Sequence, residues 1–282
     1  MDDSSASIIH PTDFSPESML AFAHALKLAV AAKTRLYIAH VAASEAADDW
    51  QDFPHVREAL VRWGLLAANA STAAVFERLG VEIRKVEIES RDPVHGLTRF
   101  LQGHPSGFMV LATHGRDGLP RWMRPSIAEA MSRRAHMQTL FIPPHGAGLV
   151  DPATGELNLN RILIPVDHRP APIAAIRAIQ QFYRALGAAP ELRILHIGEN
   201  VPVVATVSSP SQHAPVEVPV EVRDGEVVEG ILAAAADMRA NLIGMATAGH
   251  QGLLDALRGS TTERVLRHAP CPVLAIPVGG AH

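Results

Sequence analysis

Apolar and polar positions along the 282 residues fall into two rhythms, short β-branched runs and longer stretches with helical spacing, and the succession occurs twice. In the first half, residues 7–12 (SIIHPT) predict a strand. Asp13-Phe14-Ser15-Pro16 then opens a helix to about residue 32, with Ser15 as its cap and Pro16 at the first helical position, where a missing N–H costs nothing. Residues 35–41 (RLYIAHV) predict a second strand, 46–79 a long amphipathic helical stretch, and 81–88 an alternating strand. Asp92-Pro93 starts another helix, followed by the buried-type strand 108–112 (FMVLA), a helix from Ser126 and the strand 139–143 (TLFIP).

The second half repeats this order with strands at 161–166 (RILIPV), 192–197 (LRILHI), 216–223, 242–246 (LIGMA) and 272–277 (PVLAIP). Helices are expected from Asp167 to about residue 186, over 227–239 and over 260–268. Alternating strands and helices imply parallel sheets. Asp13 and Asp167 are 154 positions apart, whereas Gly115 and Gly249 are 134 apart, so the second half has lost 20 residues after its second strand. The segment there, 201–215, carries three prolines and reads as a loop, so a helix is expected to be missing from one face. The expected division is a first domain over 1–146, a Pro/Gly-rich linker over 147–157 and a second domain over 158–282.

Composition narrows the function classes. Hydrophobic residues make up 48% and aromatics 5%, so the cores must be aliphatic. The net charge is −4, with 15 basic and 16 acidic residues up to position 146 and 10 and 13 after it, which leaves neither half suited to nucleic acid. A single Cys excludes an internal disulfide and fits a reducing compartment. The start is polar and acidic and no apolar run approaches a membrane span, so a cytoplasmic protein with no membrane partner is expected. The fifteen histidines show no paired ligand spacing, so no metal site is expected from them. Cys271 is expected to be a small buried hydrophobe.

The candidate chemistry lies where a strand runs through a Gly-bearing loop into a helix. The second half has Ala246-Thr-Ala-Gly249, nine residues, then Gly259-Ser260; the first has Ala112-Thr-His-Gly115, nine residues, then Pro125-Ser126. Backbone N–H groups and the helix dipole favour an anion at such a junction. Pro125 has no N–H to offer, whereas Gly259 has one and leaves the backbone open. Arg116, Arg121 and Arg124 give the first loop cationic side chains, and Trp122 stands among them. Both serines also have a structural reason to exist, since Ser260-Thr-Thr-Glu263 and Ser126-Ile-Ala-Glu129 are capping boxes.

The run from ATAG through GS to TTERVLRHAPCPVLAIP, with the openings HPTDFSPES and IPVDHRP, resembles the universal stress protein family in two tandem copies. Ala112 and Ala246 replace the first Gly of the family's Gly-x2-Gly-x9-Gly-Ser/Thr pattern. The resemblance implies two doubly wound, adenine nucleotide alpha hydrolase-like domains, each with a five-stranded parallel sheet in the order 3-2-1-4-5. Its last strands would pair within one chain as a pseudo-dimer, and whole chains are candidates for homo-oligomers. It also implies ATP or another adenine nucleotide as ligand, held by Pro165, Val166, Asp167, Ile197, Ala246, Gly249, Gly259, Ser260 and Thr261, with Mg2+ only as the nucleotide's companion. Asp13, Val41, Ala112, Gly115 and Ser126 would form a degenerate first site, and His40 and His196 would line the two crevices.

Three functions remain open at this point. The first is a nucleotide-binding regulatory module in stress response, and the second a nucleotide-independent scaffold, favoured by Pro125, the two alanines and the missing helix. The third is a weak ATPase. The chain has three lysines, Lys27, Lys33 and Lys85, and no Gly-x4-Gly-Lys-Ser/Thr loop, so the cations that phosphoryl transfer needs are scarce, with Arg258 and Arg264 near the second loop.

Overall fold

The computed structural model describes residues 7–42, 53–113, 137–144, 148–206, 216–217, 219–248 and 261–278. The first half contains β1 (Ile8–Thr12), α1 (Pro16–Ala32), β2 (Leu36–Ala42), α2 (Val56–Arg62), α3 (Ala74–Leu79), β3 (Ile83–Glu89), α4 (Pro93–Gly103), β4 (Phe108–Ala112) and β5 (Gln138–Ile142). The second contains β6 (Arg161–Pro165), α5 (Pro172–Ala185), β7 (Glu191–Ile197), the short β8 (Ala205–Thr206) and β9 (Val216–Glu217), then β10 (Val220–Arg223). It closes with α6 (Val227–Asp237), β11 (Leu242–Ala248), α7 (Thr261–His268) and β12 (Val273–Val278).

Ten strands form one sheet in the order β10-β7-β6-β11-β12-β5-β4-β1-β2-β3, and β8 and β9 form a separate pair. Each half thus shows the order 3-2-1-4-5 with parallel neighbours. At the centre β12 runs antiparallel to β5, with Leu274 opposite Leu140. The fold is the α/β architecture implied by the alternating pattern.

Apolar side chains alternate across the strands into two layers. One face buries Leu26 of α1, Leu60 of α2 and Ile176 of α5 against Ile38, Leu140 and Ile164. The other packs Leu97 of α4, Ile231 of α6 and Val265 of α7 on Met109, Phe141 and Leu163. Cys271 is buried, and burial pushes its thiol up to about 12. Ser15 caps α1 as expected, its hydroxyl accepting from the Ser18 N–H, with Pro16 in the first turn.

Three segments depart from the sequence pattern. The amphipathic run after β2 is not one helix: α2 and α3 are short and separated at Gly64, whose φ of +70° leaves the helical region. The alternating stretch 216–223 divides into β9 and β10 around Pro219, which has no N–H to give a ladder. Between β7 and β10 the described residues contain no helix.

The third departure is the Pro/Gly-rich connection, which docks on the first half with Leu149, Val150 and Leu159 buried. The Trp63 indole N–H donates to the Pro152 carbonyl at 3.1 Å. Gly155 sits under that ring with φ +70°, and a Cβ there would stand 2.5 Å from it. The Val150 N–H donates to His24 Nε2 at 3.2 Å, while His24 Nδ1 faces the Leu20 carbonyl at 2.8 Å. A carbonyl only accepts, so Nδ1 carries the proton and His24 is held neutral.

Candidate functional site

In a doubly wound sheet the crevice opens where the strand order reverses, at the carboxyl ends of the first and fourth strands. In the second half this is the gap between β6 and β11. A cavity of about 250 Å³ occupies it, lined by Pro165, Val166, Asp167, Ile197, Ala246 and Thr261 together with His196, Thr247 and Thr262. Six of the nine residues expected from the sequence therefore share one cavity. The other three, Gly249, Gly259 and Ser260, lie outside the described residues.

Four features give this cavity its chemistry. Asp167 is exposed, and its Oδ1 accepts from the adjacent His168 N–H at 2.7 Å. His196 Nδ1 faces the Val166 carbonyl at 3.0 Å, so Nδ1 is the donor of that bond. The helix α5 begins beside the cavity at Pro172 with Ala171 in the cap position and no side-chain hydrogen bond, which leaves the first-turn amides and the positive end of the dipole open. Thr247 is 4% exposed, and its hydroxyl has no hydrogen-bond partner among the described residues. A buried hydroxyl without a partner costs about 1–3 kcal/mol. Thr247, the unsatisfied group on the cavity wall, was not singled out by the sequence. Its signal was available as the Thr shared by ATHG and ATAG, but a Thr at a strand end has no distinguishing pattern.

The first half builds the same frame and fills it. Asp13, Val41 and His40 line a cavity of about 70 Å³. His40 Nδ1 faces the Thr12 carbonyl at 2.8 Å, as His196 does in the second half. Phe14, with φ +62°, stacks on His40 at 4.1 Å between ring centres and meets Phe53 edge-on at 5.2 Å. The Asp13 carboxylate accepts from the Ser15 hydroxyl at 2.6 Å and from the Ser15 N–H at 3.1 Å, the geometry of a turn residue. Ala112 is buried at the end of β4, and the Thr113 hydroxyl donates to the Ile142 carbonyl at 3.3 Å. Gly115, Pro125 and Ser126 lie outside the described residues, as do Arg116, Arg121, Trp122 and Arg124.

A sequence model of the universal stress protein family matches residues 6–143 and 199–277. The chain belongs to this family. The second match begins after Asp167 and Ile197, so β6, α5 and β7 are tied to the pattern by their structural repetition of β1, α1 and β2. A universal stress protein from Archaeoglobus fulgidus superposes with a TM-score of 0.58 at 18% identity, covering 99% of this chain and 98% of that one. A protein of unknown function from Pseudomonas aeruginosa gives 0.58 at 15% identity over 97% and 93%. The cytoplasmic domain of a prokaryotic cation chloride cotransporter gives 0.51 at 12% identity over 96% and 95%. At these identities the likeness is one of fold. A search of curated proteins finds no match.

Proposed function

We propose that this universal stress protein is a regulatory module in stress response that binds an adenine nucleotide in the crevice between β6 and β11. The observation that carries this reading is the 250 Å³ cavity, where an exposed carboxylate, a helix start with no side-chain cap and a buried hydroxyl without a partner among the described residues converge. Asp167 would accept from the ribose hydroxyls or the amino group, and Ile197 would pack against the purine. The cavity suits the nucleoside portion, and the phosphates would run towards Gly249, Gly259 and Ser260, whose spacing suits backbone N–H donors. Mg2+ would come with the phosphates; the described residues contain no group of His, Cys, Asp or Glu poised for a metal ion. Under this reading the halves 1–146 and 158–282 act as an internal pseudo-dimer joined through β5 and β12, and no group is assigned to catalysis.

Calorimetry with ATP, ADP and AMP tests the proposal. Binding to the wild type that is lost in Asp167→Ala and Gly259→Pro is the expected result. Absence of heat at millimolar nucleotide would overturn it in favour of a nucleotide-independent scaffold.

A further inference from the structure

The 20 residues that the first half has and the second lacks do more than cover a face. With the edge strand β3, α2 and α3 enclose an open cleft of about 610 Å³, and Lys85 stands on its wall. In the register of the sheet Lys85 lies beside Ile38, and the equivalent place in the second half, beside Ile194, is Val220. A lysine thus occupies a position on the apolar face, where its ammonium is costly to desolvate. Its Nζ lies 5.8 Å over the ring of Phe53, which is fully buried.

Several of the charges around it are engaged with other groups. His55 and Glu58 of α2 pair with each other at 3.0 Å, and Glu82 holds Arg35 and Arg84. Arg57 donates to the Ala68 and Ala70 carbonyls. Glu87 follows two places along β3 and His40 lies on β2, so both share the face of Lys85. Burial lowers the Lys85 amine below the usual lysine range, which raises its uncharged, nucleophilic fraction.

We infer that Lys85 is a site of acylation by activated acyl donors carrying phosphate, with the cleft between α2, α3 and β3 as their entry. The neutral Nζ adds to the acyl carbon, forming a C–N bond. The bond from that carbon to phosphate oxygen, or to sulfur in a thioester, breaks with its electron pair, and the amine proton passes to solvent. Arg57, which has no carboxylate partner among the described residues, suits the donor's negative charge. The product amide removes a charge that burial disfavours, so the fold retains the modified side chain.

The chain's three lysines make the test direct. The folded protein is incubated with acetyl phosphate in one arm and acetyl-coenzyme A in the other, and peptide mass spectrometry follows Lys27, Lys33 and Lys85 with time. Lys85 should be acetylated several-fold faster than Lys33 by at least one donor, and that donor identifies the source. Its rate should level off at a lower pH than that of Lys33. In urea the three should react alike, and Lys85→Arg should remove the fast site without slowing the others. Equal rates in the folded protein with both donors, or a fast Lys85 that persists in urea, would overturn the proposal.

Discussion

Phe14 and His168 occupy equivalent places, one residue after Asp13 and Asp167, and they send the two crevices in different directions. Phe14 stacks on His40, which lines the first crevice of about 70 Å³. His168 lies 6.2 Å from His196 at a steep angle, donates towards the Asn200 carbonyl instead, and the second crevice stays open at about 250 Å³. The serine that caps α1 also engages Asp13, whereas Ala171 before α5 offers neither a cap nor a partner to Asp167, whose carboxylate accepts from the adjacent His168 N–H. A repeated frame therefore yields one satisfied turn and one site with polar groups to spare. What separates them is a handful of side chains at the strand ends.

The halves should separate most widely in acid. His10 and His24 are fully buried in the first half, and their equivalents in the second are Ile164 and Ala178. Desolvation holds His10 at about 4 and His24 at about 4, against 6.5 for a free histidine. The unfolded chain thus takes up protons that the fold refuses, so stability is level above pH 6.5 and falls as the pH drops towards 4. Each histidine should withdraw on the order of 3 kcal/mol over that window. Chemical denaturation followed across pH should show the loss, and His10→Ile, which copies the second half and removes an Nε2 without a partner among the described residues, should reduce it. An acid profile unchanged in His10→Ile would break this part of the comparison.

The docked connection is next in size, because it exists on the first half alone. Gly155→Ala places a Cβ against the Trp63 ring at a positive φ and should destabilise by roughly 1–3 kcal/mol. Trp63→Phe, which removes the donor to Pro152, should cost about 1 kcal/mol. Thermal melts of both variants check this order.

Binding sharpens the contrast at the crevices themselves. Asp167→Ala should weaken nucleotide binding at least tenfold, about 1.4 kcal/mol, whereas Asp13→Ala should leave affinity unchanged. Equal losses in the two variants would show that the first crevice takes part. The smallest effect concerns the paired threonines. Thr113→Val gives up a hydrogen bond and should cost about 1 kcal/mol, while Thr247→Val removes a hydroxyl with no partner among the described residues and should leave the ligand-free melt level or raise it.

Much of this was legible in the sequence. The strands and helices and the cap at Ser15 follow from local pattern and repeat register, whereas the 3-2-1-4-5 order and the convergence of Asp167, Ile197 and Ala246 were what the family resemblance implied. The break at Gly64 and the split at Pro219 were less legible, because hydrophobic spacing continues across both while the backbone does not. The docked connection was not legible, since its partners Trp63 and His24 lie 89 and 126 residues away from the groups they hold.

Local chemistry along the chain determined two successions of strands and helices, and the family resemblance implied where each crevice opens and which residues border it. Periodicity and turn residues act over a few positions, and the repeat carries them faithfully. Tertiary packing alone decided which crevice has room, which threonine lacks a partner among the described residues and which lysine faces a cleft. Those outcomes depend on how much space distant side chains leave and whether they satisfy one another, and burial sets that only once the sheet has brought them together.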